Sequence, residues 1–474
     1  MNKNIIFINR EEELKMLEKA YRSRKAELII IYGRRRIGKT FLLSRFLKNK
    51  KGIYLVVNFT EKEAALKDLT DQLTEQLELP YPPKIERFSQ LYRLIASMGA
   101  NPVVIDEFQR LHSTGGVAEL QSAWDTELSK KKLLLILAGS SVGMVEKIGL
   151  SHESPLYGRA TRILKLKDFP YASARAFLQN YTEEDKVRTY AVFGGTPGYL
   201  ALIDDSKTLK ENIASLVLEP GAPLKEEPYF LLATELREPS RYIQIIRAIA
   251  DGATKLGEIA DKARIKIHEI TQYMKTLEQD LDLVERRYPL LQEGARGKAR
   301  YYLKNNFFKF WYSLVFPRKR LIELGLTRKA LQEIWRKIDA YTSQTFEQIA
   351  IQHFTLLAKE GKVSFTHIGK WWSKNVEIDF IAIDEANNTA YFAECKWTTK
   401  PTDTRTLHQL IAKSQAFPCK KQKKKKHIRP IQPSRLHVQR QKRPTIQLKT
   451  HAKTLRKTQA NNTRTETKVN TRIY

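Results

Sequence analysis

At 474 residues the chain is longer than one hydrophobic core usually supports, so about two to four domains are expected. Hydrophobic and charged shares of 42% and 28% fit a folded chain, no apolar run nears the roughly 18 residues of a membrane span, and residues 1–10 lack a secretion signal, so a cytoplasmic protein without membrane attachment is expected. Two cysteines, Cys395 and Cys419, exclude a disulfide framework or zinc site, and a net charge of +31 points to polyanionic partners, DNA first.

In chain order, residues 1–205 alternate strand-like apolar runs (Leu28–Tyr32, Gly52–Asn58, Pro102–Asp106, Leu133–Gly139) with helical patterns (Glu11–Tyr21, Lys39–Asn49, Glu61–Leu77). That alternation predicts an α/β domain with a parallel sheet. Gly33-Arg34-Arg35-Arg36-Ile37-Gly38-Lys39-Thr40 follows the first strand and opens the helix at Phe41. This is a P-loop for ATP: the backbone wraps the phosphates, Lys39 neutralises them, the helix start adds its dipole and Thr40 joins a Mg²⁺ shell. The three arginines are expected to point outward. A strand ending in Asp106-Glu107 supplies the acids, Asp106 for Mg²⁺ and Glu107 to polarise the attacking water. Ser140, after the Leu133–Gly139 strand, is either a γ-phosphate sensor or part of an ordinary turn. Arg159 is either an arginine finger, in cis or across a subunit interface, or half of a surface salt bridge.

Residues 206–235 read as a helical lid or connector. From 236 to 310 three amphipathic helices and a hairpin give the layout of a winged helix-turn-helix, with Ile267–Glu278 as its third helix. Its alternative role is protein packing; Arg286, Arg287, Arg296, Lys298 and Arg300 on the hairpin are the better phosphate candidates. A helical linker is expected over 311–335 and a further α/β unit over 336–417. There Glu377-Ile378-Asp379 and Glu394-Cys395-Lys396 lie on two strands of a hairpin turned at Asn387, Asn388 and Thr389, which brings Asp379 beside Glu394 and Lys396. Two carboxylates for Mg²⁺ with an ammonium beside them suit phosphodiester chemistry. Residues 418–474 carry 18 Lys or Arg against one acid, Glu466, and are expected to be a disordered basic tail. Either it is an arm for nucleic acid or a frameshift at Lys423–Lys426, encodable as an adenine run, has produced it.

Phe7-Ile8-Asn9-Arg10-Glu11, the phosphate loop, Val103–Gln109, Leu137–Ser141 and Phe193–Tyr199 together resemble the archaeal ATPase family of the AAA+/STAND-like P-loop group. The resemblance covers roughly 5–417. It implies Asn9 and Arg10 as neighbours of the adenine. The C-terminal string resembles the PD-(D/E)XK nuclease-like fold, which implies Asp379, Glu394 and Lys396 as its site and Glu347 as the helical acid upstream. Two functions follow as expectations. One is an ATP-driven enzyme that binds or cleaves DNA; the other is a signalling or defence switch that self-associates with nucleotide and whose nuclease-like domain does not cut.

Overall fold

The apolar run before the phosphate loop becomes a strand buried on both faces. In the computed structural model, which describes residues 7–99, 101–149, 151–152, 154–398, 403–418 and 425–431, β1 (Glu27–Tyr32) sends Leu28 and Ile30 into one core and Ile29 and Ile31 into another. A strand apolar on both faces suits the middle of a parallel sheet covered by helices on each side. With β2 (Ile53–Val56), β3 (Val103–Asp106), β4 (Leu134–Gly139) and β5 (Arg162–Lys165) it forms an all-parallel sheet in the order β2-β3-β4-β1-β5. Helices Glu11–Tyr21 and Lys39–Leu47 cover one face through Leu17, Leu42, Leu43 and Phe46. Helices Lys62–Gln76, Phe88–Ser97 and Gly116–Thr126 cover the other through Leu69, Leu91 and Leu120. Each such side chain contributes about 1.5–3 kcal/mol by leaving water. Because β4 lies between β1 and β3, the carboxyl ends of all three strands share one edge, where sheets of this kind hold ligands.

The chain divides into two units, the first holding Met1–Asp168, Thr196–Ala201 and Thr271–Leu283 and the second the remainder. The segment expected as an ATPase core over 1–205 is thus shared between the two units, Phe169–Gly195 lying in the second. Helix Glu183–Phe193 goes with the second unit because its last turn is bound there: Tyr341 donates to the Ala191 carbonyl at 3.1 Å and Asn306 to that of Tyr190 at 2.9 Å. Thr196–Ala201 stays with the sheet because Gly198 lets two backbones meet. Its N–H donates to the Arg36 carbonyl at 2.9 Å, and a Cβ on Gly198 would stand 2.7 Å from that of Arg36.

Within the second unit lie helices Pro239–Ala250 and Leu256–Ala263 and an antiparallel hairpin, β6 (Val284–Arg287) with β7 (Arg300–Leu303). The third helix, Ile267–Lys275, is divided at Thr271, from which the chain to Leu283 belongs to the sheet unit: Asp280 packs on Gly143 and pairs with Lys147 at 3.4 Å, and Asp282 pairs with Lys165 at 3.5 Å. A single 33-residue helix, Thr327–Lys359, runs through the boundary expected at 335, since no glycine or proline interrupts it. After it come β8 (His367–Trp372), β9 (Glu377–Asp384), β10 (Thr389–Cys395), helix Thr404–Gln415 and β11 (Lys425–Ile431), in a sheet of order β11-β10-β9-β8. The first three strands are antiparallel neighbours, and β11 is parallel to β10.

β11 corrects the expectation that structure ends at 418. The edge of β10 offers its backbone groups to a partner of any composition, Ile428 joins the apolar cluster of Trp371, Phe392 and Leu410, and His427 stacks on Tyr391 at 5.2 Å. The disorder expected for the rest of the tail falls on 419–424 and 432–474, outside the described residues. Among the described residues no helix is long and apolar enough to cross a membrane.

Gly198 generates a test of this packing. Gly198→Ala is expected to push Arg36 and the phosphate loop apart at a cost of about 1–3 kcal/mol, read as a lowered midpoint of thermal unfolding and weaker nucleotide binding.

Candidate functional site

The loop after β1 is shaped by its glycines. A Cβ on Gly33 would lie 2.6 Å from the Leu166 carbonyl, and Gly38 takes a left-handed φ of 89° as it starts the helix. The buried Lys39 folds back so that its ammonium donates to the Gly33 carbonyl at 2.8 Å and that of Arg34 at 3.3 Å. Thr40 lies at the mouth with Oγ1 3.4 Å from Asp106 Oδ2. The same carboxylate oxygen accepts from Tyr54 Oη at 2.5 Å, while Asp106 Oδ1 accepts from the Glu107 N–H at 2.9 Å. Burial, and then the bond to Asp106, pushes the Tyr54 phenol well above its ordinary range, so it remains a donor. Glu107 sits in a left-handed turn, with Oε2 accepting from Ser140 Oγ at 2.8 Å and Gln109 Nε2 at 2.5 Å. Ser140 therefore holds the acid.

Thr40 and Asp106 present hard oxygens, the donor set Mg²⁺ takes beside phosphates, so these residues fit that ion. Arg10, expected near the adenine, is a brace in this structure. Its guanidinium donates to the Lys167 carbonyl at 2.6 Å and the Ile37 carbonyl at 3.5 Å, and pairs with Glu13 at 2.9 Å. Asn9 precedes it in a left-handed conformation, and Phe41 stacks on Phe7 at 5.9 Å. Arg35 and Arg36 are exposed as expected, but Arg34 turns inward onto Asp168, which also accepts from Thr196 Oγ1 at 2.7 Å. The reason is electrostatic: Asp168 gives a half-buried guanidinium a partner it lacks in the open. Arg159 forks onto Asp125 with two contacts of 2.7 Å, the salt-bridge alternative, and among the described residues no contact joins it to the loop. Tyr54 and Asp168 carried no signal in sequence, and Gln109 only closed the Val103–Gln109 string without a role of its own; each enters the site through strand register or a turn.

In the second unit the pairing of Ala393 with Phe380 puts Asp379 next to Glu394, and Asp379 Oδ2 accepts from the Cys395 N–H at 2.7 Å. Burial first, and then the nearby Glu347 and Glu394, pushes Asp379 up to about 7. Among the described residues no group of three or more acidic, histidine or cysteine side chains is placed to hold a metal ion, and the expected carboxylate pair is met by lysines. Lysines take the cation's place. Glu394 pairs with Lys396 at 2.9 Å and Lys413 at 3.0 Å, and Glu347 with Lys370 at 2.8 Å. Lys413 and Lys370 lie on elements that the sequence pattern did not reveal, so their arrival was not readable.

Beside Asp379 opens a cavity of about 310 Å³ lined by Arg287, Arg300, Lys309, Glu347 and Lys370. Arg300 pairs with Glu377 at 2.6 Å, and Lys370 reaches Glu377 as well as Glu347. Lys309 differs. Among the described residues its ammonium makes no ion pair or hydrogen bond, lies 5.5 Å over the Tyr341 ring, and is brought down to about 8 chiefly by burial, which the nearby Glu347 opposes.

Residues 7–203 match the model of an ATPase domain predominantly from Archaea, and residues 311–408 match one described as archaeal and bacterial proteins of unknown function. The chain is 32% identical over 409 residues to "Uncharacterized protein MJECL04" of Methanocaldococcus jannaschii, across 85% of this chain and 90% of that one. It is also 57% identical over 47 residues to "Uncharacterized ATP-binding protein MJ0423" of the same organism, across 10% of this chain and 80% of that one. Among solved structures it is similar to the Walker-type ATPase PABY2304 of Pyrococcus abyssi, at 21% identity and a TM-score of 0.49, over 65% of this chain and 96% of that one. With MJECL04 matched at 32% identity over 90% of its length, the chain belongs to the same family as MJECL04, and over residues 7–203 it carries an ATPase domain of predominantly archaeal type.

Proposed function

We propose that the protein is a Mg²⁺-dependent ATPase that couples nucleotide turnover to binding of DNA by its C-terminal unit. The observation that carries the first half is the meeting of Lys39, Thr40, Asp106 and Glu107 on one sheet edge. Bound Mg²⁺ supplies neutralisation of the phosphate oxygens as the terminal phosphate leaves. Lys39, already aimed at the loop's carbonyls, exchanges those bonds for phosphate oxygens. Glu107, held by Ser140 and Gln109, orients the attacking water and takes its proton. The second half rests on a hairpin and pocket rich in arginine and lysine and on three helices followed by a hairpin, the order of a winged helix.

A second reading is cleavage of the bound strand by a nuclease-like domain. The succession of helix, three antiparallel strands, helix and parallel strand favours it, as does Asp379 beside Glu394 and Lys396. The lysines that neutralise Glu394 and Glu347 favour a binding platform, and cleavage requires their release. A nucleotide-dependent switch that self-associates remains the contrasting use of the same engine; slow turnover unaffected by DNA, with assembly that follows ATP, would identify it.

Three variants test these readings. Lys39→Ala is expected to abolish ATP binding and hydrolysis, and unchanged binding by this variant overturns the site. Glu107→Gln is expected to keep ATP binding while turnover falls about 10²–10⁴-fold, measured as phosphate release with and without DNA. Asp379→Asn separates the C-terminal alternatives: if wild-type protein nicks plasmid in Mg²⁺ or Mn²⁺ and the variant does not, the cleavage reading holds. The same variant has a pH signature. A carboxyl raised toward 7 keeps its proton when folded while the unfolded chain ionises near 4, so wild-type stability falls as pH rises between these values. Without metal, Asp379→Asn is therefore expected to unfold about 2–4 °C higher than wild type at pH 8, with no gain at pH 4.

A further inference from the structure

The cavity beside Asp379 has a composition that neither the nucleotide site nor the carboxylate group explains. Four cations reach it from three elements: Arg287 and Arg300 from the hairpin, Lys370 from β8, and Lys309 from the short helix Asn306–Phe310. Three are already satisfied. Arg287 pairs with Glu285 and lies over the Tyr302 ring at 4.8 Å, Arg300 is held between Glu377 and the Trp372 ring at 4.6 Å, and Lys370 bridges Glu347 and Glu377. Lys309 has a ring below it and open space beside it. A buried ammonium with no acid in ion-pair contact is costly unless an anion visits, and Glu347, which favours its charge through space, is already paired with Lys370.

We propose that this cavity is a subsite for one backbone phosphate of a nucleic-acid strand, with Lys309 as its primary cation and Arg300 and Arg287 as its walls. The inference rests on the reading of the C-terminal unit as DNA-binding and assigns a specific place to it. The volume sits at the small end of ligand sites, room for about one nucleotide unit. Four cations facing Glu285, Glu347 and Glu377, with Asp379 held near its proton-bound form by burial, leave a modest positive excess, matched to the single negative charge of a phosphodiester. The hairpin is also tied to this wall by its backbone: the Leu290 N–H donates to the Lys370 carbonyl at 2.9 Å, and Trp372 Nε1 donates to the Lys298 carbonyl at 3.3 Å. A strand seated here passes directly by Asp379, so the hairpin arginines serve the C-terminal sheet.

The test uses the full chain and a fluorescein-labelled single-stranded oligodeoxynucleotide, read by anisotropy across a salt series in EDTA, so that cleavage cannot interfere. The basic tail adds the same background to every variant. Lys309→Met breaks no ion pair among the described residues, and it is expected to weaken binding roughly five-fold regardless of sequence and to reduce the slope of log K against log salt by about 0.7. Lys309→Arg is expected to restore both. Arg300→Gln, which leaves Glu377 to Lys370 alone, is expected to act in the same direction, with its thermal midpoint measured in parallel. Wild-type binding with the same affinity and slope in Lys309→Met overturns the subsite and leaves the DNA-binding reading standing; no binding by wild type at low salt overturns both. Inorganic phosphate that competes at millimolar concentration only with wild type supports the subsite's anion chemistry. Phosphate protection of wild type from unfolding that is lost in Lys309→Met, without any effect of Lys309→Met on oligonucleotide binding, identifies a free-phosphate site and overturns the nucleic-acid assignment.

Discussion

The parallel pairing of β1 with β4, and of β4 with β3, is the constraint on which the nucleotide site depends. Isoleucines at 29, 30 and 31 leave β1 no solvent face, so it must lie inside the sheet, and its neighbours must enter from the same direction. Once that holds, three strand ends that are far apart in sequence arrive side by side. The Gly33 loop, Ser140 and the Asp106-Glu107 pair are then held by the whole core rather than by their own contacts. A loop sequence alone would cradle a phosphate; the register is what places a hydroxyl against Glu107 and a carboxylate against Thr40.

Residues whose role is written in their own chemistry were readable without coordinates. Gly33 to Thr40 declares itself through small residues, a lysine and a hydroxyl at fixed spacing. Asp379 and Glu394 did so through alternation across a hairpin, which survives as neighbouring register positions in β9 and β10. Residues that act as partners were not readable. Tyr54 looks like any strand aromatic, yet its hydroxyl meets Asp106; Lys413 sits on a polar helix whose docking face only the folded sheet defines. β5 was missed because Arg162–Lys165 has only two apolar residues, flanked by cations, at an edge, and β11 because backbone pairing can recruit a basic segment. The division into units escaped the sequence for a similar reason, since Gly198 and Asp280 join their unit through close backbone approach and not through local pattern.

The second unit shows how ion pairing changes the meaning of a carboxylate group. Asp379, Glu347 and Glu394 would repel one another in a dry site, and the protein offsets this with Lys370, Lys396 and Lys413 and by keeping Asp379 near its proton-bound form. Such a site is stable in the absence of divalent ion. Its acids become available when something displaces the lysines or draws them onto another anion, which ties the state of the carboxylates to what occupies the neighbouring cavity.

The helix Thr327–Lys359 has a mechanical consequence. At 33 residues it is about 50 Å long, and it carries Asp339, which grips Arg188 and Trp397, two turns ahead of Glu347. Rods of this kind rotate or translate as a piece when no glycine or proline offers a joint. A tug on the Arg188 end therefore arrives at Glu347 as a displacement of similar size, making the helix a stiff pushrod between the segment around residue 188 and the acidic pocket.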